Sequence, residues 1–165
     1  MLSVEYAMRA YARRFGADEE TWAVVGLLHD FDYERYPDVA VEGHPVVGTK
    51  ILRQMGVSED ILRAILAHAE EITGVKPTTD MEKTLVAVDE LTGFIIAVAL
   101  VRPSKSLLDL EVSSVKKKWK DKAFAAPVDR NHIADAAAAI GVPTDEHIGV
   151  VLTAMRDHAL ELGLN

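Results

Sequence analysis

The sequence predicts an all-α fold of seven or eight helices. Apolar residues recur at three- and four-residue spacings through most of the chain, and sustained period-two alternation is absent. No Gly/Ser-rich linker, internal repeat or low-complexity tract divides it. The 165 residues suit one domain, and 49% apolar with 27% charged residues exclude wholesale disorder.

The first helix spans about Ser3 to Phe15 and is closed by Gly16. Asp18 is a fitting N-cap for the second, with Glu19 and Glu20 in the first turn and a stripe of Trp22, Val25, Gly26 and His29. Gly43 and Pro45 open a third, carrying Val46, Val47, Ile51, Leu52 and Met55 up to Gly56. Ser58 caps a fourth, whose apolar side holds Ile61, Leu62, Ile65, Leu66 and His68. Thr79-Asp80-Met81-Glu82 is a capping box ahead of a long helix that runs to about Val101, where Pro103 prevents continuation. Val112–Lys122 reads as a short basic helix and Asp129–Ile140 as an Ala-rich one ended by Gly141. A last helix starts at Thr144 or Asp145 and ends near Gly163. The five Met read as scattered core fillers.

Composition removes several classes of chemistry. With no Cys there is no disulfide framework, thiolate nucleophile, zinc ribbon or Cys-held iron–sulfur cluster. Any metal is therefore held by imidazole and carboxylate. A formal net charge of −8 argues against broad nonspecific DNA binding, which runs on phosphate neutralisation. The N-terminus has no basic segment followed by an apolar run, so it does not read as a signal peptide. The longest uncharged apolar-rich run, Leu91 to Val101, is far short of the ~20 residues that span a bilayer. A cytoplasmic protein is expected.

Polar groups of metal-ligand type fall on apolar helix faces. His29 lies four residues after Val25 and seven after Trp22, and Asp30 follows it. His68 comes three after Ile65, and His44 stands at the start of the third helix. Asp89 sits on the apolar stripe of the long helix, four residues after Leu85. Any one of these alone is more often a hydrogen-bonded structural residue than a ligand. A buried unpaired carboxylate costs several kcal/mol, so each needs a partner, and one shared cation serves them all. Imidazole with carboxylate suits Mn, Fe, Zn, Co or Ni, with Mg for a more carboxylate-rich centre.

Leu27-Leu28-His29-Asp30-Phe31-Asp32-Tyr33-Glu34 resembles the signature of the HD-domain superfamily of metal-dependent phosphohydrolases. The resemblance continues through Gly43-His44-Pro45-Val46-Val47-Gly48, Ala64-Ile65-Leu66-Ala67-His68 and Leu85-Val86-Ala87-Val88-Asp89-Glu90. Asp89–Phe94, Phe124–Ala126 and Asp129-Arg130 are similar to an uncharacterised bacterial HDIG-type subgroup. The resemblance implies a single HD-type helical domain, with residues 1–101 as its core and 102–165 as a C-terminal helical extension packed on it. It implies His29, Asp30 and Asp89 as core metal ligands, with one or two divalent ions bound. His44 and His68 then bind a second metal or contact substrate phosphate, and Asp30 bridges the two metals. Such a metal polarises a phosphoryl oxygen and lowers the pKa of bound water toward ~7. The expected activity is hydrolysis of a small phosphorylated metabolite or nucleotide. Relatives carry a further His ligand on the first helix, and none precedes His29 here. Either that residue lies upstream of Met1, or it is lost and the domain is a degenerate nucleotide- or partner-binding module.

Asp30, Asp32 and His68 are the catalytic candidates. Asp32 and Glu34 follow the His-Asp pair as acid/base or supporting groups, though as loop carboxylates they read equally as exposed and solvated. Glu70 and Glu71 are in the same position after His68, and Arg35 and Lys50 are the cations nearest the signature. Lys116–Lys122 concentrates five of the 18 basic residues in seven positions, around Trp119. This cluster reads chiefly as a solvated helix face with Trp119 turned inward, so a nucleic-acid partner is not expected. His132, His147 and His158 read as surface or packing residues.

Overall fold

The structure is a computed structural model that describes residues 1–37 and 43–165. Among the described residues the regular elements are nine helices: α1 (Leu2–Phe15), α2 (Glu19–Leu28), α3 (Val46–Gln54), α4 (Glu59–Ala67), α5 (Glu70–Thr73), α6 (Asp80–Leu100), α7 (Val112–Trp119), α8 (Arg130–Ala139) and α9 (Thr144–Asp157). Eight coincide with the predicted stretches. The addition, α5, is a single turn, too short to show a hydrophobic period. The last helix stops at Asp157 instead of near Gly163. Residues 158–163 form turns, closed by the Leu164 N–H donating to the Ala159 carbonyl with Gly163 at φ +67°. At 21 residues, about 31 Å, α6 is long enough to cross a bilayer but carries Glu82, Lys83, Asp89 and Glu90. No helix among the described residues is both long and apolar enough for a membrane span.

The chain separates into two compact units, Met1–Val86 and Ala87–Asn165. In the first, α1 ends at Gly16, whose φ of +65° lets its amide reach back to the Ala12 and Arg13 carbonyls. The Asp18 carboxylate caps α2 by accepting from Thr21 N at 2.8 Å. α2 then lies directly on α1. A Cβ added at Gly26 would meet Glu5 Cα at 2.8 Å and Glu5 N at 2.9 Å, so only glycine permits this approach. Beyond it, Leu52 of α3 and Leu62 and Ile65 of α4 form a buried cluster, with Leu28, Phe31, Val57 and Ile61 packed against it. Ser58 occupies the N-cap of α4 but makes no side-chain bond there.

The capping box of α6 is formed as its spacing predicts. Glu82 N donates to Thr79 Oγ1 at 3.3 Å, and Thr79 N donates back to Glu82 Oε2 at 3.0 Å. Thr78 N adds a bond of 2.6 Å, and Arg63 pairs with the other Glu82 oxygen. Glu82 is only 2% exposed. Burial pushes its carboxyl up, but Arg63 and the Thr78 and Thr79 amides outweigh that and bring it down to about 2. A carboxyl depressed in the fold adds stability above its unfolded range and loses it as pH falls toward the folded value. Between pH 5 and pH 3 the Glu82→Gln protein is therefore expected to lose about 2 kcal/mol less unfolding free energy than the parent. Urea unfolding at the two pH values measures this, and equal losses would refute the assignment.

In the second unit, Leu91, Phe94, Ile95 and Val98 of α6 are buried. Phe94 meets Trp119 at 5.5 Å and Phe124 at 5.6 Å, both edge-to-face, and Arg130 lies over its ring at 5.0 Å. Trp119 thus faces inward as expected, while Lys116 pairs with Asp145 and Lys118 lies over Phe124. His147 is a fully buried packing residue whose Nε2–H donates to the Ala87 carbonyl at 2.8 Å, and burial pushes its pKa down. Not every Met fills the core: Met8 and Met155 do, whereas Met1 and Met55 are exposed at the helix ends that carry them.

Candidate metal centre

The chain leaves α2 at Leu28, and His29 as its C-cap starts a run of turns through Arg35. Phe31 N reaches the Leu28 carbonyl, Tyr33 N the Asp30 carbonyl, and Tyr36 N the Asp32 carbonyl. These bonds hold four polar or aromatic side chains at fixed angles in a short stretch. His44 lies just before α3, and His68 is the C-cap of α4. Helix termini suit this task, because a side chain there is held by one rigid turn and still reaches past it.

Asp30 is the meeting point. Its Oδ2 lies 3.4 Å from His29 Nε2, and its Oδ1 lies 3.2 Å from His44 Nε2 and 3.8 Å from His68 Nε2. His44 Nε2 and His68 Nε2 are 3.1 Å apart. Ligand atoms of Asp30, His44 and His68 all fall within 4.8 Å of one another, close enough to share one ion. Burial alone would raise the Asp30 carboxyl. The hydrogen bond and field of His29, with the fields of His68 and His44, bring it to about 2 instead.

The outer nitrogens explain the arrangement. His29 Nδ1 donates to the Gly26 carbonyl at 2.8 Å, His68 Nδ1 to the Ile65 carbonyl, and His44 Nδ1 to Asp32 Oδ1 at 2.8 Å. With Nδ1 donating outward, each Nε2 faces the Asp30 carboxylate, as a second N–H donor when the ring is protonated and as a lone pair when it is neutral. Three lone pairs and a carboxylate repel one another unless positive charge sits among them, supplied by added protons or by a cation. A donor set of imidazole Nε2 and carboxylate oxygen, each imidazole fixed from behind, is what a divalent transition metal takes.

Asp32 departs from the solvated one of its two sequence readings and fits the supporting one. It is 3% exposed rather than solvated, and its second oxygen accepts from Gly48 N at 2.7 Å. One carboxylate thereby ties the turn after α2 to the start of α3 and sets the ring of His44. A Cβ at Gly48 would fall 2.5 Å from Asp32 Cγ. The sequence contained a hint of this in the glycine four residues after His44. Glu34, Arg35, Lys50 and Glu71 are exposed, and Arg35 lies over the Tyr36 ring at 5.6 Å. Glu70 is partly buried at the start of α5. Asp89 is partly buried on α6, in the second unit. Tyr33 belongs to the signature stretch without a role of its own there, and its ring stands perpendicular to that of His44 at 5.4 Å.

Imidazoles and a carboxylate converging at helix ends in this way form a donor set of the kind a divalent ion takes. The chain belongs to the HD-domain family, whose HD domain it matches over residues 1–94. It is similar to ribonuclease Y of Thermosipho melanesiensis, at 31% identity over 141 residues that make up 78% of this chain and 25% of that protein. It is also similar to ribonuclease Y of Oleidesulfovibrio alaskensis, at 37% identity over 50% of this chain and 15% of the relative. With ribonuclease Y of Cutibacterium acnes the identity is 34%, over 47% of this chain and 14% of the relative. The matched region is thus a quarter or less of each of these relatives. No solved structure matches the chain.

Proposed function

We propose that the protein is a metal-dependent phosphohydrolase acting on a small phosphorylated metabolite or nucleotide in the cytoplasm. The observation that carries this reading is the convergence of three imidazole Nε2 atoms on Asp30, each imidazole held by an acceptor on its Nδ1. His29, Asp30 and Asp89 hold one divalent ion (Mn, Fe, Zn, Co or Ni, with Mg as the carboxylate-rich case), and Asp30, His44 and His68 hold a second. Residues 1–101 carry these ligands. A bound ion supplies a Lewis acid for the phosphoryl oxygen and an activated water at neutral pH.

The residues themselves do the positioning. Asp30 stays ionised across the physiological range and keeps the imidazoles aimed inward. His68, partly buried at the end of α4, faces the substrate phosphate with the same edge that it turns to Asp30. Asp32 acts from behind, holding His44 in one tautomer rather than exchanging protons with solvent. The ligand set and the enzymatic relatives favour turnover over a silent binding module.

A second reading is supported by the relatives, which are named as ribonucleases: hydrolysis of an RNA phosphodiester. The net charge of −8 weighs against extended strand binding. Both readings are tested by metal analysis with a panel of phosphomonoesters, nucleotides and short RNA, before and after chelation. Stoichiometric metal and hydrolysis that a chelator abolishes and Mn²⁺ restores are expected. Turnover unaffected by chelation, or none on any substrate with Mn²⁺ present, would overturn the function.

A further inference from the structure

Tyr33 stands at the rim of the Asp30–His44–His68 cluster and is 47% exposed. Exposed aromatics are individually unremarkable, but this one is not free to drift. Its amide donates to the Asp30 carbonyl at 3.1 Å, so its backbone is set by the residue at the centre of the cluster. Its ring is held perpendicular to the His44 imidazole, with centroids 5.4 Å apart. In an edge-to-face pair the imidazole covers at most one face of the phenol ring, so at least one face is left for another group. His44 is in turn pinned through Asp32 and Gly48. The rim therefore presents a rigid, solvent-facing aromatic surface one residue's reach from groups placed to hold phosphate.

We infer that Tyr33 is a stacking platform that selects phosphate esters carrying a planar aromatic group over those that do not. This rests on the phosphohydrolase reading for the location of the phosphate, though not for the stacking itself. Every nucleobase has a π face, so such a platform recognises the presence of a base without reading its hydrogen-bonding edge. A phenol ring loses little conformational freedom on binding, and here its backbone is fixed beforehand.

The test measures equilibrium binding in the presence of Mn²⁺, independently of turnover. The probes are adenosine 5′-monophosphate and ribose 5-phosphate, which differ only in the base. The parent is expected to bind the nucleotide about tenfold or more tighter than the sugar phosphate. Tyr33→Phe, which keeps the ring, is expected to preserve that ratio, and Tyr33→Leu to bring it close to one. Because Tyr33 is half exposed, near-native melting temperatures are expected for both variants. A Tyr33→Leu protein that keeps the parent's ratio overturns the inference, as does a parent that does not discriminate. A short oligoadenylate in the same assay separates the two sources of a base: tighter binding than the mononucleotide, lost in Tyr33→Leu, identifies a strand, and equal binding a free nucleotide. Ring-dependent binding without hydrolysis would defeat the phosphohydrolase reading while leaving the platform standing. Hydrolysis with no dependence on the ring would do the reverse.

Discussion

Asp30→Asn is expected to bind no transition metal at stoichiometric concentration and to hydrolyse phosphoesters at least roughly 10³-fold more slowly than the parent. The substitution keeps the shape of the side chain and removes its charge, so packing around the turn is preserved. What disappears is the anion on which His29, His44 and His68 converge. The carboxyl is ionised far below neutrality, so the parent carries the full charge at any working pH. Three imidazoles without it still offer nitrogen ligands, but they no longer balance a divalent charge. Metal content of the purified variant, Mn²⁺ titration and kcat/KM on the best substrate are the measurements. A variant that keeps metal and rate would show that the cluster is structural.

Gly48→Ala is expected to weaken metal binding and kcat/KM by about 10–100-fold, although the residue touches no ligand atom. The added methyl would lie 2.5 to 2.8 Å from the Asp32 carboxylate, which is buried and has nowhere to retreat without releasing His44. The backbone N–H bond to Asp32 is strained by the same displacement. Stability falls too, by about 1–3 kcal/mol, as crowding in a packed interior does. Comparison with Asp32→Asn separates the effects: it keeps volume but removes the charged acceptor behind His44. If Gly48→Ala lowers the melting temperature but leaves Mn²⁺ affinity at the parent value, Asp32 does not set the His44 ring.

Much of this was legible in the sequence because the information is local. Gly16, Asp18 and the Thr79–Glu82 box mark helix ends by backbone chemistry confined to a turn, and all three act as their positions predict. The signature residues are likewise read within short windows, which is why His29, Asp30, His44 and His68 stood out before any geometry was known. What failed to show depends on distant partners. For Asp32 the sequence leaves a supporting group and a solvated loop carboxylate equally open, because its amide partner is 16 residues away. Tyr33 gave no periodic signal at all, since its neighbour is brought in by a different helix. The single turn of α5 and the turns after Asp157 are shorter than the window over which periodicity can be judged.

Gly26 joins two demands at one position. The hydrogen in place of a side chain lets α2 rest against the backbone of α1 at Glu5, and the carbonyl of the same residue holds His29 Nδ1. The crossing of two helices and the aim of a ligand are thereby written into one peptide unit. A change that loosens the helix pair is felt at the imidazole as a rotation, with no intervening side chain to absorb it. Variation on the α1–α2 seam is therefore variation in chemistry, and a search for altered activity need not begin inside the cluster.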